Sequence, residues 1–195
     1  MGGYNRIIKD NGVIALFCDG LFMASLMLSQ PKIWRYNLIW KKQQGCDFLN
    51  ANRKPLKAHE EIAIFYKKQP VYNKQYWYSN PYKKVIAGRK SDNYGDYYSV
   101  TSESTDGKRN PLTVLEFPYD KNKLHPTQKP VALLEWLIKT FTNTGALVMD
   151  NCMGSGSTGI ACINTNRNFI GMELNKEYYE IASERIKKLN EQKSA

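Results

Sequence analysis

Ala146-Leu-Val-Met-Asp150-Asn-Cys-Met-Gly154-Ser-Gly156-Ser-Thr-Gly159 is the stretch on which the fold of this chain turns. An apolar strand ends at a carboxylate, a turn with two glycines follows, and Ser157 to Asn164 reads as a helix. Asn168-Phe-Ile-Gly-Met172 is a second apolar strand closed by Glu173. Asn175 then caps a last helix striped by Tyr178, Ile181, Ala182, Arg185, Ile186 and Leu189. A strand–helix–strand–helix series of this kind predicts parallel strands that bind nucleotides at their C-terminal ends.

Gly154-Ser-Gly156-Ser-Thr-Gly159 formally fits the GxGxxG turn of dinucleotide enzymes, so a nicotinamide-dependent oxidoreductase is the first competitor. In that fingerprint the first glycine follows the strand almost directly, and a pyrophosphate rests on the helix N-terminus. Here Asp150-Asn-Cys-Met153 intervenes, and a carboxylate at the strand end would repel a pyrophosphate. It suits a cation instead, such as the ammonium of a methionine moiety. Glu173, at the tip of the next strand, can accept both hydroxyls of a ribose. Acid, glycine turn, acid therefore fits an adenosyl amino acid better than NAD. The plainer alternative is a glycine turn for close packing, with Asp150 as a helix-capping carboxylate.

Upstream, Thr127 to Phe141 predicts an amphipathic helix with Val131, Leu134, Ile138 and Phe141 on one face and Pro130 in its first turn. Near the N-terminus, Gly12–Cys18, Tyr36–Trp40 and Glu61–Tyr66 read as strands and Leu21–Ser29 as a helix that Pro31 ends. Their apolar runs predict a mainly parallel sheet covered on both faces. Between Lys67 and Lys90 the texture changes. Lys67, Lys68, Lys74, Lys83, Lys84, Arg89 and Lys90 occur without any acidic residue, interleaved with Tyr72, Tyr76, Trp77, Tyr78 and Tyr82. No helical or strand period holds there, and 92–110 reads as loop. Cations meet phosphate and aromatic rings stack on bases, so this insert is a candidate DNA contact; otherwise its tyrosines cover the edge of the core.

Composition agrees with a polyanionic partner. Twenty-eight Lys and Arg against 18 Asp and Glu leave a formal charge of +10, and 42% apolar residues suffice for a core. Cys18, Cys46, Cys152 and Cys162 show no CxxC pairing and no zinc-like spacing with His59 or His125, so they read as reduced thiols and no metal site is expected. The most apolar stretch, Val13–Leu28, is broken by Asp19 and Gly20 and is too polar to span a bilayer, which points to a cytoplasmic protein.

His125-Pro-Thr-Gln-Lys-Pro130, the Asp150–Thr158 turn and Phe169-Ile-Gly-Met-Glu173 resemble the last three motifs of the beta-type DNA amino-methyltransferases, which methylate adenine N6 or cytosine N4. Asn11–Phe17 resembles the strand after that family's catalytic motif. Ile39-Trp-Lys-Lys42 and Lys57-Ala-His-Glu60 resemble segments just before its recognition insert. The resemblance implies an α/β fold with a circularly permuted Rossmann-like methyltransferase sheet. It divides the chain into an N-terminal, catalytic half (1–66), a target-recognition insert (67–123) and an S-adenosylmethionine-binding half (124–195). It implies S-adenosyl-L-methionine as cofactor and double-stranded DNA as partner. Asp150, Gly154 and Gly156 would shape the methionine pocket, and Glu173 would hold the ribose. Thr127 and Lys129 would close over the cofactor. Asn151 and Cys152 stand where the family commonly has Pro and Phe, which leaves Cys152 in the pocket wall. His59 and Glu60 read as a structural, DNA-proximal pair.

The family's catalytic motif, Asp/Asn/Ser-Pro-Pro-aromatic, does not occur in this sequence. Ser79-Asn-Pro-Tyr82 has one proline, lies in the basic insert and reads as a turn. No catalytic residue is therefore assigned. In family members the motif's strand lies just upstream of the segment matched by Tyr4–Asp10, between the strands matched by Ala146–Asp150 and Val13–Cys18. The expectation is a fragment lacking that strand, with two unpaired sheet edges or with the flanking strands forced together. A second chain supplying the strand would complete an enzyme, with adenine N6 as the favoured target. The alternative is a catalytically inactive remnant that still binds S-adenosylmethionine or DNA.

Overall fold

A computed structural model describes residues 2–88, 95 and 98–194; Arg89, Lys90 and part of the expected 92–110 loop lie outside the described residues. In chain order the elements are α1 (Gly2–Ile7), β1 (Ile14–Cys18), α2 (Gly20–Ser29), β2 (Trp34–Cys46), a short 3-10 turn (Phe48–Asn50) and β3 (Lys57–Phe65). Five short strands follow, β4 (Trp77–Tyr78), β5 (Tyr82–Ile86), β6 (Val100–Ser104), β7 (Lys108–Arg109) and β8 (Val114–Glu116). The C-terminal part holds α3 (Val131–Phe141), β9 (Leu147–Asp150), α4 (Ser157–Asn164), β10 (Asn168–Gly171) and α5 (Lys176–Ser194). Contacts divide the chain into two compact units. One comprises the residues up to Asn73 and from Thr113 onward, and the other is Lys74–Leu112.

In the first unit, β9 and β10 pair in parallel from Leu147 opposite Asn168 to Asp150 opposite Gly171, as the strand–helix–strand reading requires. The N-terminal strands correct the expectation of a mainly parallel sheet. The order is β1-β3-β2-β8, with β3 antiparallel to both β1 and β2, and only β2 and β8 parallel. β2 and β3 are consecutive and joined by a connection that turns through Asp47 in the left-handed region, at φ 70°, which returns the chain antiparallel.

Both faces of β3 are nonetheless covered. Ile62 and Ile64, with Leu38 and Trp40, pack in the cluster that holds Leu133, Leu134, Leu137 and Ile138 of α3. Ala63 and Phe65, with Ile14 and Cys18, pack beneath Tyr4, Ile8, Met23 and Leu26 of the N-terminal helical segments. That double cover explains the unbroken run Ile-Ala-Ile-Phe, and it mimics the signature of a parallel strand.

Helix α3 begins at Val131, not Thr127, because Pro130 adopts an extended ψ of 133° and the Val131 amide donates to the Asp120 carboxylate at 3.2 Å. Its most buried stripe is Leu133, Leu134, Leu137 and Ile138, with Val131 and Phe141 at the margins. At α5 the expected cap forms, with the Tyr178 amide donating to Asn175 Oδ1 at 3.2 Å. β1 ends its sheet, and β9 pairs with β10 alone among the described residues. No helix among the described residues is long and apolar enough to cross a membrane.

The second unit contains two antiparallel pairs, β4 with β7 and β5 with β6, where no period was expected. Lys83, Lys84, Val85 and Ile86 of β5 are all exposed, so neither face had to be apolar and no alternation arose. Ser79 to Pro81 is the connection from β4 to β5. The Ser79 amide donates to Gly107 O at 2.9 Å, and Gly107 is left-handed (φ 75°), with a Cβ there falling 2.2 Å from Ser79 O.

An ion triad ties the β2–β3 hairpin to the segment before α3. Lys42 Nζ lies 2.7 Å from Glu60 Oε1 and Lys129 Nζ 2.5 Å from Glu60 Oε2. The Lys129 ammonium also sits 5.0 Å from the Phe17 ring centroid. Burial pushes the Glu60 carboxyl up, and hydrogen bonds from Lys129 and then Lys42 overcome this and hold it below its ordinary 4.5. The triad's contribution is therefore complete above about pH 4.5 and is lost as pH falls through the lower folded-state value.

Two stability measurements follow from this packing. Leu133→Ala empties a fully buried site and is expected to cost about 2–5 kcal/mol in urea unfolding, whereas a loss below about 1 kcal/mol would contradict the core assignment. Glu60→Gln leaves two largely buried lysine side chains without their carboxylate. It is expected to cost about 2–3 kcal/mol at pH 7, between the values for exposed and fully buried pairs, and to flatten the acid limb of the stability profile. An unchanged acid limb would show that the triad is not the linked group.

Candidate functional site

The C-terminal ends of β9 and β10 place two carboxylates beside one glycine turn. Asp150 ends β9; its Oδ1 accepts the Cys152 amide at 3.1 Å and its Oδ2 the Thr158 hydroxyl at 2.6 Å. Glu173 stands just past β10; its Oε2 accepts the Gly154 amide at 2.9 Å and its Oε1 the Asn175 amide at 3.0 Å. Those two amides, Asn175 first, hold the Glu173 carboxyl below the usual carboxylate range. The strand pairing continues into the turn, with Met172 N donating to Asp150 O at 2.9 Å and Met153 N to Met172 O at 3.0 Å.

The turn itself needs its glycines. Gly154 and Gly156 sit at φ 52° and 79°, where a side chain is strained. A Cβ on Gly156 would come 2.9 Å from the Ala182 Cβ of α5, so the small residue also lets the turn lie against that helix. A Cβ on Gly154 would come within 3.4 Å of the His125 ring. His125 in turn meets Tyr178 edge-on, with centroids 4.2 Å apart. The Thr127 amide and hydroxyl lie 3.2 and 3.1 Å from His125 Nδ1. Amide donation makes Nδ1 the acceptor, which puts the proton of a neutral ring on Nε2.

The sequence-predicted residues thus divide. Asp150, Cys152, Gly154, Gly156 and Glu173 form one contiguous cluster, and Thr127 reaches it through His125. Lys129 is drawn away into the triad with Glu60 and Lys42. Glu60 is a structural partner there, while His59 is exposed. Cys152 is exposed as a residue, but desolvation of its sulfur first, then the charges of Asp150 and Glu173, push the thiol up, so it is held protonated. Cys18 and Cys162 are buried and Cys46 and Cys152 exposed, all four free. Among the described residues no group of three or more His, Cys, Asp or Glu could hold a metal.

Besides His125, four residues outside the sequence-predicted set join the site. The Tyr4 hydroxyl donates to Asn151 Oδ1 at 2.6 Å, bringing an aromatic from α1 against the position after Asp150. Thr158 fixes Asp150, and Gln128 bonds Ser155 in the turn at 2.9 Å. Ser157, the first residue of α4, is buried, and its Oγ has no hydrogen-bond partner. The strand–turn–helix pattern could have nominated Thr158 and Ser157 as helix-start hydroxyls. Nothing local signals Tyr4.

The donor set fits an adenosyl amino acid. Each carboxylate oxygen of Asp150 and Glu173 accepts one protein hydrogen bond, which leaves lone pairs for an ammonium and for ribose hydroxyls. The orphaned Ser157 hydroxyl at the positive end of α4 offers one further polar contact.

Within the second unit, the Arg109 guanidinium lies 4.3 Å over the Tyr82 ring and Lys84 5.8 Å from it, while Lys74 is 6.0 Å from the Tyr76 ring. Tyr78 and Tyr98 are 66% and 92% exposed, so aromatic faces remain open between the cations.

The family model described as DNA methylase (N6_N4_Mtase) matches residues 3–184. Type II methyltransferase M.HpaI of Haemophilus parainfluenzae is 30% identical over 190 residues, which are 93% of this chain and 55% of that protein. DNA adenine methyltransferase YhdJ of Escherichia coli (strain K12) is 36% identical over 96 residues, 47% of this chain and 33% of that protein. Among solved structures, M1.HpyAVI in complex with SAM superposes with a TM-score of 0.65 at 29% identity, covering 93% of this chain and 78% of that one. The cytosine-N4-specific PvuII DNA methyltransferase, at 14% identity, shares the fold with a TM-score of 0.62 over 93% of this chain and 69% of its own. The chain spans about half or less of the length of these curated relatives. By the family match along almost its whole length, the chain belongs to the N6/N4 DNA methylases.

Proposed function

We propose that this chain is the cofactor-binding part of a DNA amino-methyltransferase that acts on adenine N6 in double-stranded DNA, with S-adenosylmethionine as methyl donor. The observation that carries the reading is the pairing of Asp150 and Glu173 at adjacent parallel strand ends, on either side of a left-handed glycine turn. When bound, S-adenosylmethionine supplies an electrophilic methyl group on a sulfonium. Asp150 holds the ammonium of its methionine moiety, oriented by Thr158 and the Cys152 amide. Glu173 holds the ribose hydroxyls. Gly154 and Gly156 let the backbone approach, and Cys152, Thr127 and the His125 ring wall the pocket. Lys129, held by Glu60, braces the segment that carries Thr127 and His125. The basic, aromatic second unit contacts the duplex, its cations on phosphate and its open rings on bases.

No residue of this chain is assigned to the target amino group. In this reading a parallel strand bearing an Asp-Pro-Pro-Tyr type motif enters between β1 and β9, whose outer edges carry no strand partner among the described residues. It comes from a second chain or from a segment outside the 195 residues. Its polar group would accept from the target nitrogen and its aromatic ring would stack on the flipped base. Positioning and electrostatics then account for the transfer.

Calorimetry with S-adenosylmethionine tests the site. The wild-type chain is expected to bind it and to ignore NAD. Asp150→Asn and Glu173→Gln should each weaken binding about tenfold or more, the loss expected when a charge-assisted contact goes. No heat with S-adenosylmethionine, or competition by NAD, would overturn the assignment. Mixing the chain with a polypeptide carrying the motif strand should yield labelled methyl groups in duplex DNA, on adenine N6. Persistent inactivity of a well-folded complex would contradict the complementation.

A further inference from the structure

Gln128 is nine-tenths buried and uses every hydrogen-bonding position of its carboxamide. Its Oε1 accepts the Leu124 amide at 3.0 Å and the Ser155 hydroxyl at 2.9 Å. Its Nε2 donates to Asp120 Oδ2 at 3.0 Å and to Asn122 O at 3.2 Å. These partners belong to two separate stretches, the 120–131 segment and the glycine turn. Ser155 is itself buried between the two left-handed glycines, and its carbonyl accepts from Arg185 of α5. The other Asp120 oxygen caps α3 through the Val131 amide, so the same network anchors the segment to a core helix.

One consequence is geometric. The Gln128 amide donates to His125 O at 3.1 Å, closing the turn His125–Gln128. With Gln128 fastened to Ser155, that turn holds the His125 ring against Gly154 and edge-on to Tyr178. Gly154 is the residue whose amide reaches Glu173. A single side chain therefore sets the spacing between the wall of the pocket and its floor.

We propose that Gln128 is a positioning residue for the cofactor: through Ser155 it locks the glycine turn against the His125 segment, and so sets affinity for S-adenosylmethionine without touching it. The proposal rests on the functional reading above. A buried amide that served folding alone would lower the melting temperature and leave unchanged the dissociation constant measured well below the transition. A positioning residue changes that constant.

The test is a double-mutant cycle on the full chain, with S-adenosylmethionine and S-adenosylhomocysteine as probes and calorimetry well below each melting transition. Gln128→Leu, close in volume but without polar atoms, is expected to raise the dissociation constant about tenfold, and Ser155→Ala about threefold. Because Ser155→Ala removes only a bond that Gln128→Leu has already removed, the double variant should bind no more weakly than Gln128→Leu alone. Multiplying losses would contradict the latch, as would both single variants binding within about twofold of wild type. Should Gln128→Leu fail to fold, Ser155→Ala alone decides: it removes one bond of the four, and unchanged binding overturns the proposal. Absence of binding by the wild-type chain would overturn the functional reading instead, so the two failures are distinguishable.

Discussion

The parallel pairing of β9 with β10 is the constraint on which the rest depends. It brings the ends of two strands level, so that Asp150 faces Gly171 in register and Glu173 follows one residue beyond, after Met172. Backbone bonds from Met172 to Asp150 and from Met153 to Met172 carry the pairing into the turn, and the Gly154 amide completes it on Glu173. Neither carboxylate at these strand ends is left bare. Here each is held by two protein donors, among them backbone amides of the turn and of the start of α5. The turn is thus shaped by the acids as much as by its glycines, and positive φ at Gly154 and Gly156 is the form that this demands.

Around that centre the first unit supplies rigidity from two directions. Helix α3 packs on the β2–β3 face through Leu133, Leu134, Leu137 and Ile138 and against α4 through the same cluster, which holds Ala161 and Cys162. The segment leading into α3 is fastened twice, at Gln128 to the glycine turn and at Lys129 to Glu60. Neighbouring residues of one motif therefore point to different partners. One ties the segment to the glycine turn and the other joins it to the β2–β3 hairpin.

The C-terminal strand–helix–strand–helix unit was legible in the sequence because its signals are local. An apolar run, an acid, a glycine turn and an Asn cap each act within a few residues of where they are read. The antiparallel order around β3 was not legible, since cover on both faces removes the alternation that distinguishes the two pairings. The hairpins of the second unit escaped for the opposite reason: β5 is exposed on both sides and needs no apolar face. Of the candidate site, spacing nominates both acids and both glycines and the resemblance adds Cys152, and the structure brings these five together at one turn. Gln128 and Tyr4 were not legible, because their partners Ser155 and Asn151 lie 27 and 147 residues away along the chain. Resemblance places Lys129 over the cofactor. Its partner Glu60, 69 residues upstream, emerges only when the hairpin folds back.

Binding of S-adenosylmethionine at the turn between Asp150 and Glu173 can be read residue by residue. The most direct measurement is a backbone amide NMR titration of the labelled chain. The amides of Cys152, Gly154, Gly156 and Asn175 should shift on addition of S-adenosylmethionine and stay in place with NAD. Shifts confined to Lys74–Leu112, or none at the turn, would rule out this site.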